Sequence, residues 1–383
     1  MPRTRPAAAA WACLAALAPG CAAQPVPPDD AVRRGVGRLV REDGFPAAVA
    51  AVRDAGGAVR TYTAGTADLV ERGPVPADGF VRIGSGTKTY VAVVVLQLAG
   101  EGRVDLDTPI GTYLPGAARG RGTDGRRVTV RQLLRHTSGL PDYEPLLDAD
   151  VFRRRRVHHR PERLLDVALA HGPDFAPGAG WGYSNTNYIL LGLLVQRVTG
   201  RPLAREVAHR ILRPLGLRHT YFPGTGELGI RRPHARGYHA NAPGGPLRDI
   251  TVMDPSWGWA AGAMIATPDD VNRFLVAVLA GHLLAPEQRR ELRGTVPAPA
   301  LWRGARYGPG LISTPLSCGG LMWGHGGDIP GYETRSGATD DGRAVTVTVT
   351  ALPTALRRGA VAARHVLALV DTALCGPARR PGA

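Results

Sequence analysis

A single lysine stands in a chain whose other 46 basic residues are all arginines. Lys88 lies three residues after Ser85, in the stretch Ile83-Gly84-Ser85-Gly86-Thr87-Lys88-Thr89-Tyr90. A guanidinium keeps its charge at any working pH, whereas a buried lysine amine can be held neutral and take up a proton. If a helix starts at Ser85, positions i and i+3 share a face and bring the amine to the hydroxyl. That is a nucleophile beside its base. Of the seven serines, only Ser85 has a basic residue three places on. Two further stretches carry groups suited to the same chemistry. Tyr183-Ser184-Asn185 lies in a loop between the Gly/Pro cluster at 177–180 and a helix beginning near Asn187. Gly324-His325-Gly326-Gly327 sits in a late strand, where glycine lets another backbone lie alongside.

The elements that must position these residues can be read from periodicity. Asp29-Asp30 starts a helix over 31–41, with Val32, Val36, Leu39 and Val40 on one side. Strand-like runs at 47–52 and 58–64 flank Asp54-Ala55-Gly56-Gly57, a hairpin signal. A strand at 81–83 enters the Ser85 stretch. Beyond Lys88, residues 91–99 are apolar on nearly every side, so this helix should be buried in the middle of the protein and hold Ser85 rigidly. Helical spacing recurs at 130–136, 161–171, 187–198, 202–215 and 268–279. Strand character returns at 322–326, 333–338 and 344–351, the last two separated by Asp340-Asp341-Gly342, and residues 360–374 close as a helix. Two early strands and three late ones predict an α/β fold: an antiparallel five-stranded sheet assembled from both chain termini and flanked by helices, with an all-helical inserted lobe. The α/β lobe would take 29–82 and 300–376 and the helical lobe 85–299, within one catalytic domain over 24–376 followed by a short tail at 377–383. The site would lie in the cleft between the lobes.

Composition narrows the function classes. With 383 residues and 44% hydrophobic content, the chain can bury a large core. The net charge of +15 reflects heavy arginine use throughout, and no zinc-finger spacing or aromatic-interleaved basic stripe points to nucleic acid. Arg153 to Arg156 read as a solvated face, and the adjacent His158 and His159 make a poor metal pair. Residues 1–23 read as a signal peptide: Arg3 and Arg5, an apolar run over 7–17, and Ala22-Ala23 before Gln24. Export, to the medium or the cell envelope, is therefore expected, with no transmembrane segment. A lipid anchor at Cys21 is the less favoured reading, because Pro19 spoils its lipoprotein box. Cleavage would leave Cys318 and Cys375, an even number in an oxidising compartment. A bridge between them would restrict the unfolded chain by roughly 4 kcal/mol.

Taken in order, S-x-x-K at Ser85, Y-x-N at Tyr183 and H-x-G at His325 resemble the serine penicillin-recognising enzymes, the class C β-lactamase and D-alanyl-D-alanine carboxypeptidase type. The resemblance runs from about Asp29 to Gly376 and is closest to the secreted serine D-alanyl-D-alanine carboxypeptidases. It includes His136-Thr137-Ser138-Gly139-Leu140, Ser256-Trp257, and the pair Ser317-Cys318-Gly319 and Leu374-Cys375-Gly376, which supports the disulfide. It implies a β-lactamase/transpeptidase-like fold and an acyl-enzyme at Ser85, with Lys88, Tyr183 or the two together as base. The amides of Ser85 and Asp328 would form the oxyanion hole. Asn185 would hold the substrate's amide, and His325 would fill the electrostatic and relay place of the family's lysine. Trp257, Gly326 and Gly327 would line the pocket. Neither metal nor cofactor is implied. Cell-wall peptides or small acyl compounds are the implied substrates, β-lactams the covalent ligands, and a monomer is expected. No serine lies in G-x-S-x-G, which argues against an α/β-hydrolase.

The sequence departs from the carboxypeptidases at their carboxylate anchor. Gly326 and Asp328 stand where threonines would be expected, and Leu311-Ile312-Ser313-Thr314 where an arginine would be. A carboxylate facing Asp328 would be repelled unless Arg303, Arg306 or Arg335 compensates. D-alanyl-D-alanine carboxypeptidase is the leading expectation, with esterase, D-aminopeptidase or β-lactamase activity on the same fold as the alternative.

Overall fold

The computed structural model describes residues 28–376. The expected signal segment, with Cys21 and the cleavage point before Gln24, and the tail at 377–383 lie outside the described residues. The chain opens with helix α1 (Pro28–Arg41) and then builds one side of a nine-stranded antiparallel sheet. Its strands are β1 (Ala47–Arg53), β2 (Val59–Gly65), β3 (Val296–Pro297), β4 (Arg306–Tyr307), β5 (Ile312–Pro315), β6 (Leu321–Gly324), β7 (Gly326–Ile329), β8 (Tyr332–Ala338) and β9 (Ala344–Val349). Their order is β3-β4-β5-β6-β8-β9-β1-β2, with β7 also paired to β8. Both chain ends meet at the β1–β9 seam, where Ala50 lies opposite Val347.

The expected five strands are therefore nine. The run read as one strand at 322–326 breaks at His325 into β6 and β7. Strands β3, β4 and β5 are two to four residues long and two of them end in proline, too short for alternation to show. Nor is the inserted region wholly helical. Val81–Arg82, Thr220–Tyr221 and Ile265–Ala266 form a three-stranded sheet, and two two-stranded ribbons accompany it, all from two-residue strands.

Strand β9 shows why helices cover both faces of the sheet. Its Val/Thr alternation would ordinarily mark one dry and one wet face, yet all six residues are buried. Val345, Val347 and Val349 pack against Val32, Val36 and Leu39 of α1 and Val366, Leu369 and Val370 of the C-terminal helix, Gly359–Cys375. On the threonine face, Thr346 donates to Asn272 Oδ1 at 2.8 Å, and Asn272 Nδ2 donates to the Ala51 carbonyl at 2.9 Å. Asn272 belongs to the helix Pro268–Ala280, which lies on that face of the sheet. Hydrogen bonds thus make a polar strand face compatible with burial.

Helix α2 (Thr87–Gly100) runs through the interior with eleven of its fourteen residues buried. Tyr90 stacks on Phe274 with ring centroids 3.6 Å apart. Thr87 Oγ1 accepts from the Met264 amide at 3.0 Å, and Thr89 donates to the Gly310 carbonyl at 2.6 Å. These bonds fix α2 in depth and rotation. Cys318 and Cys375 form the disulfide, with Cα atoms 5.6 Å apart, and tie the turn after β5 to the C-terminal helix. No helix among the described residues is long and apolar enough to cross a membrane.

Replacing Asn272 with alanine would leave the Thr346 hydroxyl and the Ala51 carbonyl buried without this partner. The expected cost is about 2–4 kcal/mol, read as a lowered midpoint in urea unfolding, with activity per folded molecule unchanged.

Candidate active site

Ser85 sits in a single 3-10 turn, Gly84–Gly86, immediately before α2. Three residues on, in the first turn of α2, Lys88 comes to the same face, and its Nζ lies 3.0 Å from Ser85 Oγ. Ser85 is partly exposed, whereas Lys88 is fully buried. Two other acceptors surround the amine: Asn185 Oδ1 at 2.7 Å and the Ala261 carbonyl at 2.7 Å. Burial pulls the Lys88 pKa down to about 7, against the opposing pull of Asp142, Glu144 and Asp328. A neutral amine has two protons and one lone pair. The two carbonyl oxygens take the protons, which leaves the lone pair for the Ser85 hydroxyl.

Tyr183 comes from the loop before helix α3 (Asn185–Thr199), with its ring 4.9 Å from Lys88 Nζ. Burial pushes its phenol well above the usual range, so at neutral pH Tyr183 carries its proton. Of the two candidate bases, the structure favours Lys88, with Tyr183 placed to pass a proton on.

Asn185 is not free to hold a substrate amide by itself. While its Oδ1 accepts from Lys88, its Nδ2 donates to Asp142 Oδ2 at 3.0 Å and Glu144 Oε2 at 2.7 Å. Desolvation raises both carboxyls, Glu144 to about 7, where Asp142 adds its repulsion. The pair follows directly on the His136–Leu140 stretch, and that position was the only signal for it in the sequence.

His325 also differs from its expected part. It is 5% exposed, and burial together with Lys88 lowers its pKa to about 3, so it is neutral. It cannot supply the charge of the family's lysine. Its Nε2 lies 2.8 Å from the Tyr307 hydroxyl and its Nδ1 2.5 Å from the Gly326 carbonyl. Next to it, Gly327 packs so tightly on the 3-10 turn that a Cβ would collide with the Ile83 carbonyl. Gly84, at φ +47°, lies against the Asp328 amide. This close approach puts the Asp328 amide beside the Ser85 turn.

The Asp328 carboxylate is exposed and points at Arg335, 2.9 Å away, which also pairs at 2.6 Å with the fully buried Glu333. The Arg335 guanidinium lies across Gly326. Arg306 is occupied by Thr295. Trp257 is buried beneath Arg154, whose guanidinium lies 4.8 Å over the indole, so Arg154 forms the surface there. Arg154 is only partly exposed, unlike the solvated face expected for its cluster. No group of three or more His, Cys, Asp or Glu side chains able to hold a metal ion occurs among the described residues.

A serine whose hydroxyl lies beside a buried lysine amine with a pKa near 7 and a protonated tyrosine has the make-up of a serine acyl-hydrolase, on a β-lactamase/transpeptidase-like fold. The family model described as Beta-lactamase matches residues 29–370, and the chain belongs to that family. Esterase EstB from Burkholderia gladioli is 32% identical over 334 residues, covering 75% of this chain and 82% of EstB. Among solved structures, a D-stereospecific amidohydrolase from Streptomyces sp. superposes with a TM-score of 0.81 at 38% identity, covering 89% of this chain and 98% of that one. D-amino acid amidase from Ochrobactrum anthropi SV3, complexed with D-phenylalanine, gives 0.78 at 28% identity, over 90% and 99% of the two chains.

With Lys88 as base, kcat/KM for a simple ester should rise with pH through a midpoint near 7, as the amine loses its proton. Lys88→Arg should lower it by about 10²–10⁴-fold. A flat wild-type profile between pH 5 and 9 would exclude this assignment.

Proposed function

We propose that this protein hydrolyses amides and esters of D-amino acids that carry a free amino group. The observation that carries the reading is the carboxyl pair Asp142 and Glu144, joined to the Lys88 site through Asn185. Two adjacent, poorly solvated carboxyls repel each other, and a cation between them relieves that cost. A substrate α-ammonium is such a cation. The leaving-group side offers the opposite balance. The arginine nearest the late strand, Arg335, is paired with both Asp328 and Glu333, so a terminal carboxylate finds no open guanidinium there. The leading carboxypeptidase expectation therefore gives way to its alternative, in line with the esterase and D-amidase names of the similar proteins. With the ammonium and the carbonyl fixed, the two enantiomers exchange the places of the side chain and the α-hydrogen, so a wall on one of those two sides would select one enantiomer.

In the proposed reaction Lys88 takes the Ser85 proton as Oγ bonds to the substrate carbonyl carbon. The oxyanion is held by the Ser85 and Asp328 amides. As the C–N bond breaks, the proton passes from Lys88 through Tyr183 to the departing amine. Water then attacks the acyl carbon and gives its proton to Lys88, which passes it to Ser85 Oγ as the C–Oγ bond breaks and the D-amino acid is released. Export through the N-terminal segment belongs to the same proposal and rests on sequence alone.

The test compares the amide of D-phenylalanine with its L enantiomer and its N-acetyl derivative. The expected result is clear preference for D, and an approximately 10–100-fold loss of kcat/KM on N-acetylation. Glu144→Gln should weaken the free-amino substrate and narrow that gap. Faster turnover of an N-acylated peptide ending in D-Ala-D-Ala would restore the carboxypeptidase reading.

A further inference from the structure

Behind the reacting groups lies a buried chain of hydrogen bonds whose central members, His136, Ser138, Asn187 and Tyr307, lie outside the three sequence motifs. His136 Nδ1 faces two donors, the Ser184 amide at 3.2 Å and Asn187 Nδ2 at 2.9 Å. The Asn187 side chain is oriented by Ser138, whose hydroxyl donates to Asn187 Oδ1 at 2.6 Å. An imidazole nitrogen that receives N–H donors is the unprotonated one, so His136 carries its proton on Nε2. That nitrogen lies 3.1 Å from the Tyr307 hydroxyl. Tyr307 accepts there and gives its own proton to His325 Nε2 at 2.8 Å. His325 must then be protonated on Nδ1, which donates to the Gly326 carbonyl at 2.5 Å. Every proton in the chain is assigned by its neighbours, and the two histidines hold opposite tautomers.

The ends of the chain matter. One end grips the Ser184 amide, between Tyr183 and Asn185, the first residue of α3. The other grips the Gly326 carbonyl, two residues before the Asp328 amide. His136 also packs its ring 4.3 Å from that of Tyr183. It does so from a left-handed backbone conformation, φ 58° at the end of the helix Val130–Arg135, which a non-glycine residue adopts only at some cost. All three side chains are buried.

We propose that Tyr307 and His136 are positioning residues for acyl transfer: through His325 they lock the Tyr183 loop and the oxyanion strand to each other. This rests on Ser85 being the nucleophile and not on the identity of the substrate. Tyr307 is the one member shared by both halves of the chain, because its hydroxyl accepts from one histidine and donates to the other.

The deciding measurement is long-range 15N–1H correlation of the histidine rings in the intact, substrate-free protein. The two rings are assigned by loss of their signals in His136→Gln and His325→Gln. The expected result is His325 as the Nδ1–H form and His136 as the Nε2–H form; the same tautomer in both, or a cationic His325 at pH 7, would overturn the proposal. Tyr307→Phe keeps the ring and deletes the link. It should mix the His325 tautomers and lower kcat for p-nitrophenyl butyrate about tenfold with little change in KM. An unchanged kcat with an unchanged His325 signal would also overturn it. If Tyr307→Phe does not fold, the wild-type tautomers decide alone. Absence of D-amino acid amide turnover would count against the substrate assignment and leave this test intact.

Discussion

The site depends on keeping one ammonium out of water. Lys88 is fully enclosed, and desolvation outweighs the attraction of Asp142, Glu144 and Asp328, which brings its pKa down to about 7. This leaves an amine that can exist without its proton near neutrality. Arginine could not do this at any burial, which explains why the position holds lysine in a chain that otherwise uses arginine. The buried helix α2 and the Ala261 carbonyl are what keep the amine aimed at Ser85.

A second constraint is the backbone contact between the Ser85 turn and strand β7. Gly327 and Gly84 allow an approach that a Cβ would prevent, and that approach sets where Asp328 presents its amide. The sheet supports it from behind. β7 is held to β8, and β8 to β9, which is seamed to β1. The Asp328 amide is therefore joined to the centre of the sheet rather than to a free loop.

Charge distribution separates the two sides of the cleft. Asp142 and Glu144 lie beyond Asn185, while near β7 the one guanidinium is shared between two carboxylates. A cation is favoured on the first side and an anion gains little on the second. This asymmetry is a property of which acids meet which arginine, and it directs the reading from a carboxypeptidase toward an amidase or esterase.

Much of this was legible in the chain itself. The lone lysine three residues after a serine, the apolar run after it, the alternating Val345 to Thr350 segment and the pair of late cysteines each carry a local signal, because spacing along a helix or strand is fixed by backbone geometry. The short strands β3 to β5 were not legible, since two to four residues show no period. The neutrality of His325, the engagement of Asn185 by Asp142 and Glu144, and the pairing of Arg335 could not be read either. The first two depend on desolvation or on a partner far away in sequence, Tyr307 lying 18 residues from His325 and Glu144 41 from Asn185, and the third on how β7 and β8 fold against each other. The sequence by itself determined that a serine nucleophile would stand beside a titratable amine. Only the tertiary structure decided which charges are left unbalanced around it, because charge state and hydrogen-bond direction belong to the environment of a side chain and not to its type.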